Sequence, residues 1–339
     1  MAMNDPNGDS DSVPNDSLDL PTISVTGAGG YVGSCVVATL RERHPEWNVR
    51  AFDNFYRGDL RQIDDVEVEF LDVRRRDSVE SALAGSDVVV HLAAASDVDA
   101  CREDETFALE TNVHGTTNVA WFCKHSGAGL VFPFSMAVLG TPEEFPITVD
   151  LSRQPMNWYG ETKLLGEQTI TSLADGAFPA HLFLKANVYG GHTVGNSHVS
   201  RGMVLDFFVR RAFSDEPITV YKPGTQARNF VHVVDVANAY QKSVERLITE
   251  LADGQTGVSK YEIASDEQWT VMELAELVQR TMENETGRVP AIERVENPRG
   301  ETLVGNFEVD ITAARGELGW EPTNSIRTTV QRLIQRHAE

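Results

Sequence analysis

Apolar and polar positions alternate along this chain in two rhythms. Short β-branched runs recur: Ile23-Ser24-Val25, Asn48-Val49-Arg50-Ala51-Phe52, Val66-Glu67-Val68-Glu69-Phe70, Asp87 to Leu92, Gly129 to Ser135 and Ala180 to Val188. Between them lie stretches with helical spacing: Ser34 to Leu40, Thr106 to His125 and Asn157 to Leu173. Strands alternating with helices predict βαβ units and a parallel sheet with right-handed crossovers. The run Asp87 to Leu92 is largely apolar, as expected of a strand covered on both faces. Pro133 is awkward for a central strand, because it cannot donate to the ladder. From about Gly190 the pattern loosens, and Gly190-Gly191-His192-Thr193 and Gly195-Asn196-Ser197 read as loop. Further on, the spacing predicts helices over 202–213, 235–250, 269–282, 310–318 and 325–337, with a short strand at 218–221 and 228–233 leading into the helix at 235. The reading is α/β: a doubly wound parallel sheet over 20–189, to which 226–250 returns, and a smaller intertwined α/β part from 190–225 and 251–339.

The first strand runs into Thr26-Gly27-Ala28-Gly29-Gly30-Tyr31-Val32-Gly33 and then a helix. Strand, glycine turn and helix form a dinucleotide site: Gly27 permits the tight turn, Gly30 lets backbone approach a pyrophosphate, and Gly33 lets the helix lie close to the sheet. The helix N-terminus presents free N–H groups to the phosphates. Asp53 ends the second strand twenty residues after Gly33. A carboxylate there accepts hydrogen bonds from the adenosine ribose and repels a 2′-phosphate, which favours NAD over NADP. Farther along, Tyr159 and Lys163 stand four apart on a predicted helix and so share a face. An ammonium beside a phenol favours phenolate, so the Tyr159 pKa is expected to fall from about 10 towards neutrality, where it can act as a general base.

Taken as a set, these motifs resemble an extended short-chain dehydrogenase/reductase of the nucleotide-sugar epimerase/dehydratase family, similar to UDP-glucose 4-epimerases. The resemblance covers nearly all of 21–322. It rests on Thr26 to Gly33, Asp53-Asn54, Asp72-Val73, His91-Leu92-Ala93-Ala94, Asn112-Val113-His114-Gly115-Thr116, Ser135 to Gly140, Tyr159 to Lys163, Asn187-Val188-Tyr189-Gly190, Arg228-Asn229-Phe230, Pro298-Arg299-Gly300 and Leu318-Gly319-Trp320-Glu321-Pro322. It implies that NAD is held by Gly27, Gly29, Gly30, Tyr31, Val32, Gly33, Asp53, Asn54, Asp72, Val73, Leu92, Ala93, Ala94, Asn112, Tyr159 and Lys163. It also implies that Ser135 orients the reacting hydroxyl, Tyr159 is the base, and Lys163 tunes it and holds the nicotinamide ribose. Asn187, Arg228 and Arg299 would bind the diphosphate of a nucleotide-sugar substrate, a task suited to forked guanidinium groups. Family dehydratases carry an acid pair directly after the catalytic hydroxyl. Met136 and Ala137 stand there in this chain, which favours epimerisation over dehydration. The resemblance further implies a homodimer built on helices 106–125 and 157–173, for which Val119, Ala120, Leu164 and Leu165 offer an apolar seam.

Composition narrows the setting. Fifty-one acidic residues against 29 basic ones give a formal net charge of −22, which argues against nucleic acid as a partner. Only six of the basic residues are lysines. No apolar run approaches the ~18 residues that would suggest a membrane span. Residues 1–19 have neither a basic nor an apolar segment of the kind a signal peptide needs, and read as a disordered tail in a cytoplasmic protein. Cys35, Cys101 and Cys123 are far apart and match no metal or disulfide spacing. So many unbalanced carboxylates repel one another until salt screens them, which points to adaptation to high salt. Melting curves taken against KCl are expected to shift upward into the molar range; no gain in stability would contradict that adaptation.

Overall fold

The structure, a computed structural model, describes residues 20–202, 204–297 and 304–338. Its first half runs β1 (Thr22–Thr26), α1 (Tyr31–Arg43), β2 (Asn48–Asp53), β3 (Gln62–Ile63), β4 (Val66–Phe70), α2 (Arg76–Leu83), β5 (Val88–His91), α3 (Val98–Glu103), α4 (Glu105–Leu109), α5 (Thr116–Ser126), β6 (Gly129–Ser135), α6 (Trp158–Ala174) and β7 (Pro179–Lys185). The second continues β8 (Asn187–Tyr189), β9 (Gly191–Val194), β10 (Ser197–Ser200), α7 (Val204–Phe213), β11 (Ile218–Tyr221), β12 (Ala227–His232), α8 (Val233–Ala252), β13 (Gly257–Ile263), β14 (Gln268–Thr270), α9 (Val271–Thr286), β15 (Ile292–Val295), α10 (Thr312–Glu317) and α11 (Ile326–Ala338).

Among the described residues the large sheet has eight strands in the order β13-β7-β6-β5-β1-β2-β4-β3, parallel except for β3. From β1 the order runs outward in both directions, to β2 on one side and β5 on the other. That reversal leaves a crevice beyond the carboxyl ends of the two central strands. The apolar run Val88-Val89-Val90 is fully buried, as a strand with helices on both faces must be. Pro133 is tolerated because β5 pairs with β6 only at Gly129–Val131, so Pro133 lies past the end of that ladder on one side.

Several elements differ from the sequence expectation. Helix 106–125 is interrupted by a wide turn over Glu110–Gly115, where Asn112 is buried and hydrogen-bonds to both backbone groups of Ala95 and to Thr162 Oγ1. Those bonds need the side chain to point inward at a place where regular helical spacing would not put it. The stretches 190–193 and 195–197, expected as loop, fall largely within the hairpin β9–β10, turned through Gly195 in the left-handed region. Strand 180–188 breaks at Ala186: β7 stays in the large sheet, while β8 pairs with β12 in a three-stranded sheet with β14. Trp269 lies on β14 rather than in a helix, because a capping box between Thr270 and Glu273 starts α9 after it. Gly257–Ile263, assigned by sequence to the smaller part, is instead an edge strand of the large sheet, in register with β7. Residues 1–19 lie outside the described residues, and so does Arg299.

The second core is built by α7, α9 and α11 with β11, around Phe208, Val209, Leu274, Val278 and Val330. Val119 and Ala120 are fully buried in the main core, so the apolar seam suggested for α5 does not include them. Of the four residues named for it, Leu165 is the exposed one, at 38%. Among the described residues, no helix is long and apolar enough to cross a membrane.

Candidate active site

A cleft of about 390 Å³ opens at the carboxyl ends of the central strands. One end is the glycine turn. Gly27 sits at φ +73° with its Cα against the backbone of Leu92 and Ala93; a Cβ there would lie 2.5 Å from Ala93 N. A Cβ on Gly33 would lie 2.1 Å from Gly27 O and 2.8 Å from Ala28 Cα. Gly33 therefore serves the approach of α1 to the turn, and Gly27 the approach of the turn to the chain leaving β5. Gly30 differs, because a Cβ on it would meet only Gly27 O, at 3.4 Å. The space in front of Gly30 belongs to the cleft. With the first-turn N–H groups of α1 around it, this is a cradle of the kind a pyrophosphate fills, so the residues present fit a dinucleotide.

Asp53 is buried at the end of β2 and accepts hydrogen bonds from Gly29 N (3.0 Å) and Phe55 N (2.7 Å). Burial raises its pKa, against the lowering effect of those two N–H groups and of Arg61. Asn54, Tyr31, Val32, Gly29, Val73, Leu92, Ala93 and Ala94 complete this end. The Tyr31 hydroxyl donates to Gly190 O (2.7 Å), tying the glycine turn to the β8–β9 corner. Two expected cofactor residues are not in the lining. Asp72 faces a neighbouring hollow and is paired with Arg74 (2.6 Å). Asn112 is buried behind the wall and fastens the loop after β5 to α6.

The other end holds the titratable groups. Asn157 caps α6 through Gly160 N (2.9 Å) and fixes where that helix starts. Tyr159 and Lys163, one turn apart, both face the cleft. Ser135, at the end of β6, hydrogen-bonds to Tyr159 and also accepts from Ala137 N (3.2 Å). The expected lowering of the Tyr159 pKa does not hold. Burial raises it above its ordinary value and outweighs the lowering by the Ser135 hydrogen bond. The same burial, helped by Lys185, brings Lys163 down to about 7. At any pH where the phenol would begin to ionise alone, the amine beside it is already largely neutral. Lys163 Nζ lies 5.0 Å from the centre of the Phe132 ring.

On the far wall, sequence reasoning marked Lys185 only as standing where the family carries an arginine, and missed Ser200 and Arg201. Lys185, Ser200 and Arg201 line the cleft. Arg201 is held by Asp97 (3.0 Å) and Ser96 (3.0 Å), and Asp97 also pairs with Arg57 (2.9 Å). Arg201 belongs to no motif and reaches the site because the β9–β10 hairpin carries it there. Asn187 and Arg228 lie outside this lining, on the adjoining small sheet. Asn187 Nδ2 donates to Asn229 O (3.2 Å), and Arg228 donates to Ala227 O (2.8 Å) beside the Phe307 ring.

Comparison with known proteins agrees with this geometry. The description of the NAD dependent epimerase/dehydratase family matches residues 23–252. The UDP-glucose 4-epimerase of Corynebacterium glutamicum is 28% identical over 325 residues, covering 91% of this chain and 93% of the relative. UDP-glucuronic acid decarboxylase 4 of Arabidopsis thaliana is 28% identical over 324 residues, covering 92% of this chain and 68% of the relative. The crystal structure of UDP-glucose 4-epimerase from Thermotoga maritima superposes with a TM-score of 0.79 at 21% identity, covering 94% of this chain and all of that one.

The glycine turn yields a paired test. Gly33→Ala must push backbone against backbone and is expected to cost about 1–3 kcal/mol, read as a lower Tm. Gly30→Ala is expected to keep the Tm and to weaken NAD binding, measured by calorimetric titration. Equal effects of both substitutions on Tm would contradict the division of roles.

Proposed function

We propose, from the premise that this chain belongs to the NAD dependent epimerase/dehydratase family and takes NAD as its cofactor, that it is a 4-epimerase of a UDP-hexose, interconverting glucose- and galactose-configured sugars. The observation that carries the reading is Tyr159, hydrogen-bonded to Ser135 and one helical turn from Lys163, at the end of a dinucleotide cleft. Tyr159 Oη takes the proton of the sugar 4-hydroxyl and later returns it, so the chain needs one base that is also an acid. Ser135 Oγ holds the same hydroxyl in line through its bond to Tyr159. NAD held in this cleft would supply the hydride acceptor and donor that inversion at C4 needs, and its oxidised form would add a positive charge there. Lys163 holds that end of the cofactor and favours the phenolate when protonated.

Met136 and Ala137, directly after Ser135, offer no proton for eliminating water, which supports epimerisation over dehydration. Asn187 and Arg228 on the small sheet, with Arg299, would anchor the nucleotide diphosphate while the keto sugar turns over. The homodimer belongs to this proposal as well, with Leu165 on its seam and Val119 and Ala120 inside each protomer. The cytoplasm and the high-salt habitat are part of it too.

Incubation with UDP-glucose, UDP-N-acetylglucosamine and UDP-glucuronate should convert at least one of them to its 4-epimer with no net NADH. Tyr159→Phe is expected to lower kcat by about 10²–10⁴-fold while NAD remains bound. Steady NADH accumulation, or a decarboxylated pentose product, would contradict the reading.

A further inference from the structure

Lysine is scarce in this chain, yet two of its six lysines, Lys163 and Lys185, face one cleft. Three others are paired with glutamates: Lys222 with Glu296, Lys242 with Glu245, and Lys260 with Glu167. Among the described residues, the Lys185 ammonium has no carboxylate or hydrogen-bond partner. The register of β6 and β7 sets Lys185 opposite Ser135, so it flanks the hydroxyl that orients the sugar. Arg201 stands on the same wall, its guanidinium fixed by Ser96 and Asp97. The cleft is lined by four cations, Arg57, Lys163, Lys185 and Arg201, against two carboxylates, Asp53 and Asp59, while Asp97 pairs with Arg57 and Arg201 without lining it. In a chain of net charge −22 this is a local reversal of sign.

Such a group is expensive to keep. Burial, with Arg201 nearby, brings the Lys185 pKa down to about 8. A desolvated ammonium without a partner costs stability, and an arriving anion offsets that cost. The dinucleotide phosphates belong to the glycine turn at the other end of the cleft, and the substrate diphosphate to the small sheet. Neither accounts for a cation beside Ser135.

We infer that Lys185, supported by Arg201, binds a carboxylate carried on the sugar, so that the preferred substrate is a UDP-hexuronate. The inference rests on the 4-epimerase reading and specifies its substrate class. Inversion at C4 leaves the carboxylate itself unchanged on C5, so substrate and product both carry an anion to this cationic wall. An uncharged hexose leaves the ammonium buried and unpaired, which is the basis of the preference.

The test compares full-length enzyme, Lys185→Met and Lys185→Arg on UDP-glucuronate and UDP-glucose, with melting curves to show that each variant is folded. Wild type is expected to favour UDP-glucuronate in kcat/KM. Lys185→Met is expected to reduce that preference by about 10- to 100-fold, chiefly through KM for the uronate, and Lys185→Arg to retain most of it. A wild-type preference for UDP-glucose would overturn the inference while leaving the epimerase reading intact. So would an equal loss on both substrates in Lys185→Met, which would make Lys185 a tuner of Tyr159. If neither sugar is epimerised, the epimerase reading fails, and calorimetric titration of the NAD-loaded protein still decides the inference. Tighter binding of UDP-glucuronate than UDP-glucose, lost in Lys185→Met, supports it; equal binding overturns it.

Discussion

Positive charge held away from water is the constraint on which this site depends. Lys163 and Lys185 both reach the cleft, and for both, burial is the main influence on the proton. An isolated buried ammonium is costly, so the fold carries a strain that bound ligand relieves. The same burial acts with opposite sign on Tyr159, raising the phenol as it lowers the amines. At this end of the cleft the phenol and the two amines, which hold their protons about equally in water, are drawn apart, so the amines give theirs up first.

Parallel-sheet topology makes the arrangement possible. The reversal of strand order at β1 leaves room beyond β1 and β5 for an extended cofactor. Gly27 and Gly33 bring α1 against that opening, and Gly30 keeps the approach clear. The groups gathered at this end come from neighbouring elements with independent supports: Ser135 from the end of β6, Lys185 from the end of β7, and Tyr159 and Lys163 from α6 behind its Asn157 cap. Asn112 fastens α6 to the loop after β5 from inside the wall. It fixes the spacing between the glycine-turn end of the cleft and Tyr159 without lining the cleft. A residue of this kind acts through others, which is why a sequence motif can contain it although it does not reach the cleft.

The sheet and the glycine turn were legible because their signals are local. β-Branched runs, a turn that only glycine can make, and a Tyr–Lys pair at helical spacing each depend on a few neighbours. The wide turn at Glu110–Gly115 was not legible, because its cause is a distant partner, Ala95. The hairpin at 191–200 carries too few apolar residues to show a strand period, and β13 follows α8 with only half-buried residues at its start. The sign of the Tyr159 shift went wrong for a different reason. Spacing reveals that an ammonium is near, but not how much water both groups have lost, and here burial outweighs proximity. Arg201 and the role of Lys185 depend on where a second set of elements crosses the first, which no single stretch records.

Ultraviolet difference titration of the NAD-loaded enzyme against its Tyr159→Phe variant, repeated on a Lys163→Met background, tests the charge argument most directly. The account predicts a phenolate absent from Tyr159→Phe, titrating below the ordinary tyrosine value of about 10 with NAD bound, and moving upward when Lys163 is replaced. A phenol that titrates at or above that value with NAD bound, or is indifferent to Lys163, would contradict it.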